Sequence, residues 1–196
     1  MIAVIDTGVA NISSVMAALT RLGSRASVTA EHEEISSASH VIFPGVGAAN
    51  AAMARLRASG LDHLIVKLTQ PVLGICLGMQ LLFEKSEEGE TDGLGVLAGQ
   101  VMKMKTAKDC TIPHMGWNSL DLVQKDHPLF EQIDSGAYVY FVHSYAVLPS
   151  VVTLATTSHA ASFTAVAGRA NFFGAQFHPE RSGIAGAQFL RNFLRL

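Results

Sequence analysis

Short apolar runs and amphipathic stretches alternate along the first half of the chain. Met1–Ile5 is wholly apolar, which predicts a strand buried on both faces. Asn11–Leu22 carries apolar residues three or four positions apart and stops at Gly23, so it predicts an amphipathic helix. The same pattern continues with strands at residues 26–30, His40–Phe43 and Val72–Ile75, and with helices at residues 48–58, 61–69 and Cys76–Phe83.

In the second half of the chain, strand-like runs follow one another with short breaks. They lie at residues 96–104, 117–123, 138–148, 151–157, 162–168 and 171–177, and a final helix is predicted at residues 184–195. Strands that alternate with helices over the first half indicate βαβ units, which build a parallel sheet with helices on both faces. We therefore predict an α/β fold in a single domain over residues 1–196. A mixed, mostly parallel central sheet is followed by a β-rich C-terminal half that extends or flanks it.

The composition is typical of a globular chain with a large core. Hydrophobic residues make up 49% and charged residues 15% of the chain, which argues against disorder. A net charge of −2 offers no basic field for nucleic acid or an anionic membrane, and no apolar stretch has the length of a membrane span. The start lacks a basic signal-peptide region, and the two cysteines form neither a disulfide framework nor a metal pair. We expect a soluble, cytoplasmic protein without metal or cofactor.

The segment Gly74–Gly78 has the Gly-x-Cys-x-Gly pattern of a nucleophile elbow, with cysteine in place of serine. It lies between a predicted strand and a predicted helix, where a sharp reversal needs glycines because a side chain would collide. Cys76 would then project from the carboxyl end of a central strand, at a helix N-terminus that favours a thiolate. The N–H of Leu77 would face a developing oxyanion. The alternative is that Cys76 is a small buried hydrophobic residue, as free cysteines often are.

A possible base follows much later, where His178-Pro179-Glu180 comes after the apolar run Phe172–Phe177. Pro179 keeps His178 out of the helical region, so we expect His178 and Glu180 at extended spacing on one side of the chain. A carboxylate there holds one imidazole nitrogen and leaves the other to act on a nucleophile. On its own this short motif is more typical of a surface turn. Together with an elbow cysteine it indicates a catalytic triad.

The glycine-rich segment Pro44–Gly47 allows two interpretations. A dinucleotide-binding turn is the first, but Asn50 replaces the third glycine of that motif and no acidic residue follows at the required distance. The second is that this strand end, beside the elbow strand, supplies a backbone N–H to an oxyanion hole. We favour the second interpretation.

In this order the three motifs resemble those of the triad-type, or class I, glutamine amidotransferases, and the resemblance covers essentially the whole chain. It implies a flavodoxin-like fold and hydrolysis of L-glutamine to glutamate and ammonia. By this resemblance, Cys76 attacks the side-chain amide carbon, His178 protonates the leaving ammonia and then activates water, and Glu180 orients His178. The N–H of Leu77 and one from Gly45-Val46 would hold the oxyanion.

Further positions match family residues that hold the amino-acid end of glutamine. They are Gly47, Gln80, Glu88, Ser144 and Tyr145. A carboxylate such as Glu88 suits the α-ammonium group of this substrate. Its place in the acidic run Glu84–Glu90 is equally typical of a solvated surface.

The segments Asp6–Asn11 and Pro113–Asn118 resemble those family members that pass ammonia to a separate (β/α)8 cyclase subunit in histidine biosynthesis. The resemblance implies a heterodimer with that cyclase. Positions at its interface are matched by Asn11, Trp117, Tyr140 and Arg181. An ordinary core aromatic is the other interpretation of Trp117. Three alternatives to the whole function stay open: a glutaminase subunit of another synthase, such as anthranilate or pyridoxal phosphate synthase, a non-catalytic flavodoxin-like binding module, and a cysteine peptidase.

Overall fold

The computed structural model describes residues 1–6, 12–107 and 110–196. In chain order its strands are β1 (Ile2–Ile5), β2 (Ala26–Thr29), β3 (His40–Gly45), β4 (Val72–Cys76), β5 (Phe83–Ser86), β6 (Thr91–Asp92), β7 (Leu97–Lys103), β8 (His114–Ser119), β9 (Asp121–Leu122), β10 (Tyr138–His143), β11 (Tyr145–Val147), β12 (Thr153–His159), β13 (Ala161–Arg169) and β14 (Phe172–Ala175). Its α-helices are α1 (Ile12–Arg21), α2 (His32–Ser37), α3 (Ala49–Ser59), α4 (Leu61–Ile65), α5 (Leu77–Leu81) and α6 (Gly183–Phe193). Among the described residues, no helix combines the length and the apolar character needed to cross a membrane.

A central sheet with the strand order β2-β1-β3-β4-β14-β13-β12-β9 organises the fold. The first five strands in this order, β2, β1, β3, β4 and β14, pair in parallel. The last three, β13, β12 and β9, join antiparallel. The predicted mixed, mostly parallel sheet and its extension by the second half of the chain are confirmed. Because parallel strands end at the same edge, β3, β4 and β14 bring their carboxyl ends together. Gly45 pairs with Cys76 and Ala175 with Ile75, so the segments that follow these strands converge.

Apolar side chains cover both faces of the sheet because successive strand residues point to opposite sides. Ile2 and Val4 of β1 belong to a buried cluster with residues of α1 and α6. Ala3 and Ile5 belong to a second cluster with residues of α2, α3, α4 and α5. Helices on both faces were predicted from the strand and helix alternation, and this prediction is confirmed.

The segment after Cys76 differs from the prediction. The helix expected over Cys76–Phe83 ends at Leu81, and Phe83–Ser86 is strand β5. The carbonyl of Leu81 accepts a hydrogen bond from the N–H of Leu94 at 2.8 Å. This contact with a later loop ends the helix. Hydrophobic periodicity along residues 76–83 does not show the contact, so the sequence did not predict the end of the helix at Leu81.

Two other differences concern short elements. The run expected over residues 138–148 divides at Ser144, because β10 pairs with β8 in a two-stranded ribbon whereas β11 joins the sheet β11-β7-β5-β6. Helix α2 was not predicted. It has six residues and buries one apolar side chain, Ile35, so it has no apolar period to detect.

Candidate active site

Cys76 lies at the reversal from β4 to α5. Its backbone has φ 54° and ψ −112°, which is strained for a residue with a side chain. Strain of this kind persists only where the surrounding structure imposes it, and it is the geometry of a nucleophile elbow. Leu77 is the first residue of α5, so its N–H has no partner within the helix.

The two glycines of the elbow occupy positions that admit no side chain. A Cβ atom at Gly78 would lie 1.8 Å from the carbonyl oxygen of Phe43 in β3. A Cβ atom at Gly74 would lie 2.7 Å from backbone atoms of Gly78 and Met79. The elbow therefore packs backbone against backbone, as the Gly-x-Cys-x-Gly pattern predicts, and α5 is held directly against the end of β3.

His178 follows β14 and pairs with Glu180. The His178 Nδ1 atom lies 2.8 Å from Glu180 Oε1, and both side chains are buried. His178 has the extended backbone expected before proline, but Pro179–Arg181 forms a 3-10 turn instead of continuing the extended segment. The N–H of Arg181 donates to the His178 carbonyl and closes this turn. The two side chains meet through the turn and not through the extended spacing that was expected.

The pKa of His178 reports the charges around it. Burial lowers this pKa, but hydrogen bonding and charge attraction from Cys76 and Glu180 outweigh burial and raise it to about 10. The Nε2 atom has no hydrogen-bond partner of regular geometry in the described part of the chain. We therefore attribute the effect of Cys76 mainly to charge. A cationic imidazole beside a cysteine sulfur favours the thiolate over the thiol.

Two further groups contact the sulfur of Cys76. The Sγ atom lies 3.7 Å from the carbonyl oxygen of Val142 in β10 and 3.8 Å from Nε2 of Gln176. The carbonyl accepts a hydrogen bond and so suits the thiol, which donates. The amide nitrogen donates and so suits the thiolate.

A cleft of about 380 Å³ opens over Cys76. Its lining contains all five predicted substrate-binding residues together with the predicted nucleophile, base and two oxyanion residues: Gly47, Gln80, Glu88, Ser144, Tyr145, Cys76, His178, Val46 and Leu77. Arg181 also lines the cleft. Glu180 and Gly45 lie instead at a cavity of about 10 Å³ that Cys76 does not line.

Glu88 is fixed by helix α3. Its Oε2 atom accepts a hydrogen bond of 2.8 Å from the N–H of Ala49, the first residue of α3. The helix dipole favours a carboxylate there. Glu88 is half-buried at the cleft, whereas Glu84 and Glu90 of the same acidic run are exposed. The solvated-surface interpretation therefore applies to those two residues and not to Glu88.

A chain of hydrogen bonds that was not predicted starts at His143, which lines the cleft. His143 Nδ1 lies 2.8 Å from the carbonyl oxygen of Tyr145, and His143 Nε2 lies 3.0 Å from His114 Nδ1. Because the carbonyl only accepts, His143 must carry its proton on Nδ1, and His114 then donates to His143 Nε2. The amide nitrogen of Asn118 approaches His114 Nε2 at 3.3 Å.

Both histidines in this chain of hydrogen bonds are held neutral. Burial is the main cause that lowers the pKa of His143 to about 3 and that of His114 to about 4. The hydrogen bond to the Tyr145 carbonyl opposes this shift for His143 but is the smaller effect.

The predicted interface residues lie beside the cleft as far as they are described. Trp117 of β8 is 54% exposed and packs edge-on against Tyr140 of β10, with ring centroids 6.0 Å apart. The guanidinium of Arg181 lies 5.9 Å from the centroid of the Tyr140 ring. The core-aromatic interpretation of Trp117 is wrong because half of the side chain is exposed. Asn11 lies outside the described residues.

Sequence reasoning missed Gln176, Val142 and His143, which contact Cys76 or line the cleft. Gln176 lies two positions before His178, and this spacing at the end of a strand was the one available signal. Within residues 1–6, 12–107 and 110–196, no three His, Cys, Asp or Glu side chains form a group that could hold a metal ion.

Comparisons with known proteins identify the family of this chain. Residues 3–196 match the family model "Glutamine amidotransferase class-I". The imidazole glycerol phosphate synthase subunit HisH of Pasteurella multocida is 52% identical over 195 residues, which cover 98% of this chain and 96% of the relative. The HisH subunit of Xylella fastidiosa strain Temecula1 is 47% identical over 195 residues, which cover 100% of this chain and 97% of the relative.

Solved structures share the fold at low sequence identity. A structure titled glutamine amidotransferase has a TM-score of 0.76 at 17% identity and covers 98% of this chain and 97% of its own. PurLQS from Thermotoga maritima has a TM-score of 0.73 at 20% identity and covers 99% of this chain and 97% of its own. The match of the family model over nearly the whole length, with relatives about half identical, shows that the chain is a member of the class I glutamine amidotransferase family.

Proposed function

We propose that this chain is the glutaminase subunit of imidazole glycerol phosphate synthase in histidine biosynthesis. It would hydrolyse L-glutamine to glutamate and ammonia, and a (β/α)8 cyclase subunit would use the ammonia to make imidazole glycerol phosphate and an aminoimidazole carboxamide ribotide. The observation that carries the proposal is the cleft over Cys76, which His178 and Glu88 also line. Relatives that are 52% and 47% identical and carry the name of this subunit support the choice of partner. We also propose a cytoplasmic location, since the reaction needs the free thiol that Cys76 has.

The first half of the proposed reaction makes a thioester. The Cys76 thiolate attacks the side-chain amide carbon of glutamine, and the electron pair of the carbonyl bond moves onto oxygen. Backbone N–H groups of Leu77 and of Gly45-Val46 would hold this oxyanion. The carbonyl then re-forms, the carbon–nitrogen bond breaks, and the imidazolium of His178 gives its proton to the leaving nitrogen, so that ammonia departs.

The second half of the reaction releases glutamate. His178 is now neutral and takes a proton from water as the water oxygen attacks the thioester carbon. The carbon–sulfur bond breaks, which restores the thiolate beside an imidazolium. Glu180 keeps Nδ1 of His178 protonated through the 2.8 Å contact, so that Nε2 performs both proton transfers. One glutamine and one water give one glutamate and one ammonia.

Substrate recognition follows from the charges at the cleft. Glu88 offers a carboxylate to the α-ammonium group of glutamine, and its hydrogen bond to the N–H of Ala49 keeps the side chain in place. Gly47, Ser144 and Tyr145 line the same cleft and would contact the amino-acid end of the substrate. Free glutamine has both a cationic α-ammonium group for Glu88 and a side-chain amide for Cys76. A peptide bond within a chain has no such cationic group beside it, which disfavours a peptidase.

The proposed partner surface is continuous with the cleft. Arg181 lines the cleft and also stacks on Tyr140, which packs against Trp117. Ile184, three residues after Arg181, is 91% exposed. Together with Trp117, which is 54% exposed, it gives this surface two large exposed apolar side chains, and groups of such side chains are typical of protein interfaces. Ammonia that leaves Cys76 would therefore meet the partner within a short distance.

The test compares Cys76→Ala with Cys110→Ala in a glutamate-release assay, with and without the purified cyclase and its nucleotide ligand. We expect low activity from the isolated chain, strong stimulation by the ligand-loaded cyclase, and no glutamate from Cys76→Ala. Cys110→Ala, which removes the other free thiol, should behave like the unmodified chain. Glutamate production by Cys76→Ala would exclude Cys76 as the nucleophile. Stimulation by anthranilate or pyridoxal phosphate synthase components in place of the cyclase would overturn the assignment of the partner.

A further inference from the structure

Gln176 is a buried polar residue with no role in the reaction described above. It follows β14, and its side chain is completely buried. Its Nε2 atom lies 3.8 Å from the sulfur of Cys76, and its Oε1 atom lies 2.9 Å from Nε2 of Gln80. The residue therefore joins the sulfur to a side chain that lines the cleft.

The orientation of the Gln176 amide follows from its neighbours. The carbonyl oxygen of Tyr145 only accepts hydrogen bonds, so Gln80 must turn its NH₂ group toward it, at 2.9 Å. The same NH₂ group donates its second hydrogen to Gln176. Gln176 must then present its oxygen to Gln80 and its own NH₂ group to Cys76. The Tyr145 carbonyl thus fixes the orientation of the Gln80 amide, and the Gln80 amide fixes that of the Gln176 amide. As a result, the sulfur of Cys76 faces an N–H donor.

A donor at this place favours one form of the sulfur. The carbonyl of Val142 on another side of Cys76 stabilises the thiol, which donates to it. The Gln176 N–H stabilises the thiolate, which accepts. Hydrogen bonds to charged acceptors are stronger than those to neutral ones, and burial increases the difference.

We propose that Gln176 belongs to the catalytic centre as a hydrogen-bond donor to the Cys76 thiolate, and that Gln80 positions the Gln176 amide in addition to lining the substrate cleft. This inference rests on the proposed role of Cys76 as the nucleophile. It adds a second source of thiolate stabilisation to the triad. His178 stabilises the thiolate by its charge, whereas Gln176 does so by a directed N–H. It also links the substrate cleft to the sulfur, since Gln80 contributes to both.

The test measures alkylation of the isolated full chain by iodoacetamide from about pH 5 to about pH 9, because only the thiolate reacts at an appreciable rate. Peptide mass spectrometry follows Cys76 and Cys110 separately, so Cys110 serves as an internal reference in every sample. The variants are Gln176→Met, which has a similar length without the donor, and Gln176→Asn, which withdraws the amide from the sulfur. Gln80→Met removes the group that orients Gln176.

We expect the pH of half-maximal Cys76 alkylation to rise by about one unit in Gln176→Met and Gln176→Asn, which is about a tenfold lower rate at pH values below that midpoint. Gln80→Met should shift it in the same direction by a smaller amount, and the Cys110 profile should not move. If Gln176→Met does not fold, Gln176→Asn decides the result alone. A Cys76 profile that matches the unmodified chain in the folded Gln176 variants would overturn the inference. Failure of the proposed function has a different signature, because Cys76 of the unmodified chain would then react no faster than Cys110 near neutral pH.

Discussion

Acid should destabilise this protein through the buried pair His114 and His143. Both are neutral in the folded chain, with pKa values of about 4 and about 3, whereas the ordinary value is 6.5. The unfolded chain therefore binds protons at both sites as the pH falls below 6.5, and the folded chain does not. Since the folded pKa is lowered, each histidine costs stability as the pH falls, until the folded pKa is reached.

The magnitude follows from these values. Between about pH 7 and about pH 5, each histidine reduces the free energy of unfolding by about 2 kcal/mol. His178 acts in the opposite sense, because its raised pKa of about 10 makes the folded chain bind protons more tightly than the unfolded chain. It therefore increases the free energy of unfolding by about 1 kcal/mol over the same interval. His40 and His127, whose pKa values burial also lowers, add to the loss. The net expected loss is about 3 kcal/mol or somewhat more.

The assay is urea unfolding followed by circular dichroism at both pH values, with His114→Gln and His63→Gln as a matched pair. His114→Gln removes one buried titrating group. Its free energy of unfolding should therefore fall between the two pH values by about 2 kcal/mol less than that of the unmodified chain. The His63 side chain is 84% exposed, and His63→Gln should keep the full loss. A free energy of unfolding that does not change between the two pH values, or an equal loss in His114→Gln and the unmodified chain, would refute the reasoning.

Three further predictions concern the elbow, the triad and the partner surface. Gly78→Ala should lower the free energy of unfolding by about 3 kcal/mol or more, measured by urea unfolding, because the new Cβ would meet the Phe43 carbonyl oxygen at 1.8 Å and backbone cannot move aside as a side chain can. Glu180→Gln should reduce glutamate release by about 100-fold or more, because His178 loses the charge that holds Nδ1 protonated. The circular dichroism spectrum should stay unchanged. A reduction of less than about tenfold would contradict an orienting role for Glu180. Trp117→Ala should weaken binding of the cyclase by about tenfold or more in calorimetry, and it should leave Cys76 alkylation in the isolated chain as it is; unchanged affinity would place the partner surface elsewhere.

Local patterns determined much of this protein from sequence alone. The apolar runs of β1, β3 and β4 and the three-to-four spacing of α1 depend on neighbours a few positions away, so the sequence shows them directly. The elbow is local in the same way, because its glycines lie two positions on either side of Cys76. The motif order also identified the family, which the matched model confirms.

Contacts between distant positions were decided only by the tertiary structure. Gln80 meets the Tyr145 carbonyl across 65 positions and Gln176 across 96, and Gln176 meets Cys76 across 100. A glutamine in a sequence shows neither which way its amide faces nor whether it is buried, because both depend on partners that the parallel sheet brings together. The end of α5 at Leu81 has the same origin in a bond to Leu94. Sequence thus specified which chemical groups are present and how each short segment folds, whereas the registry of β3, β4 and β14 decided which of those groups meet at the sulfur.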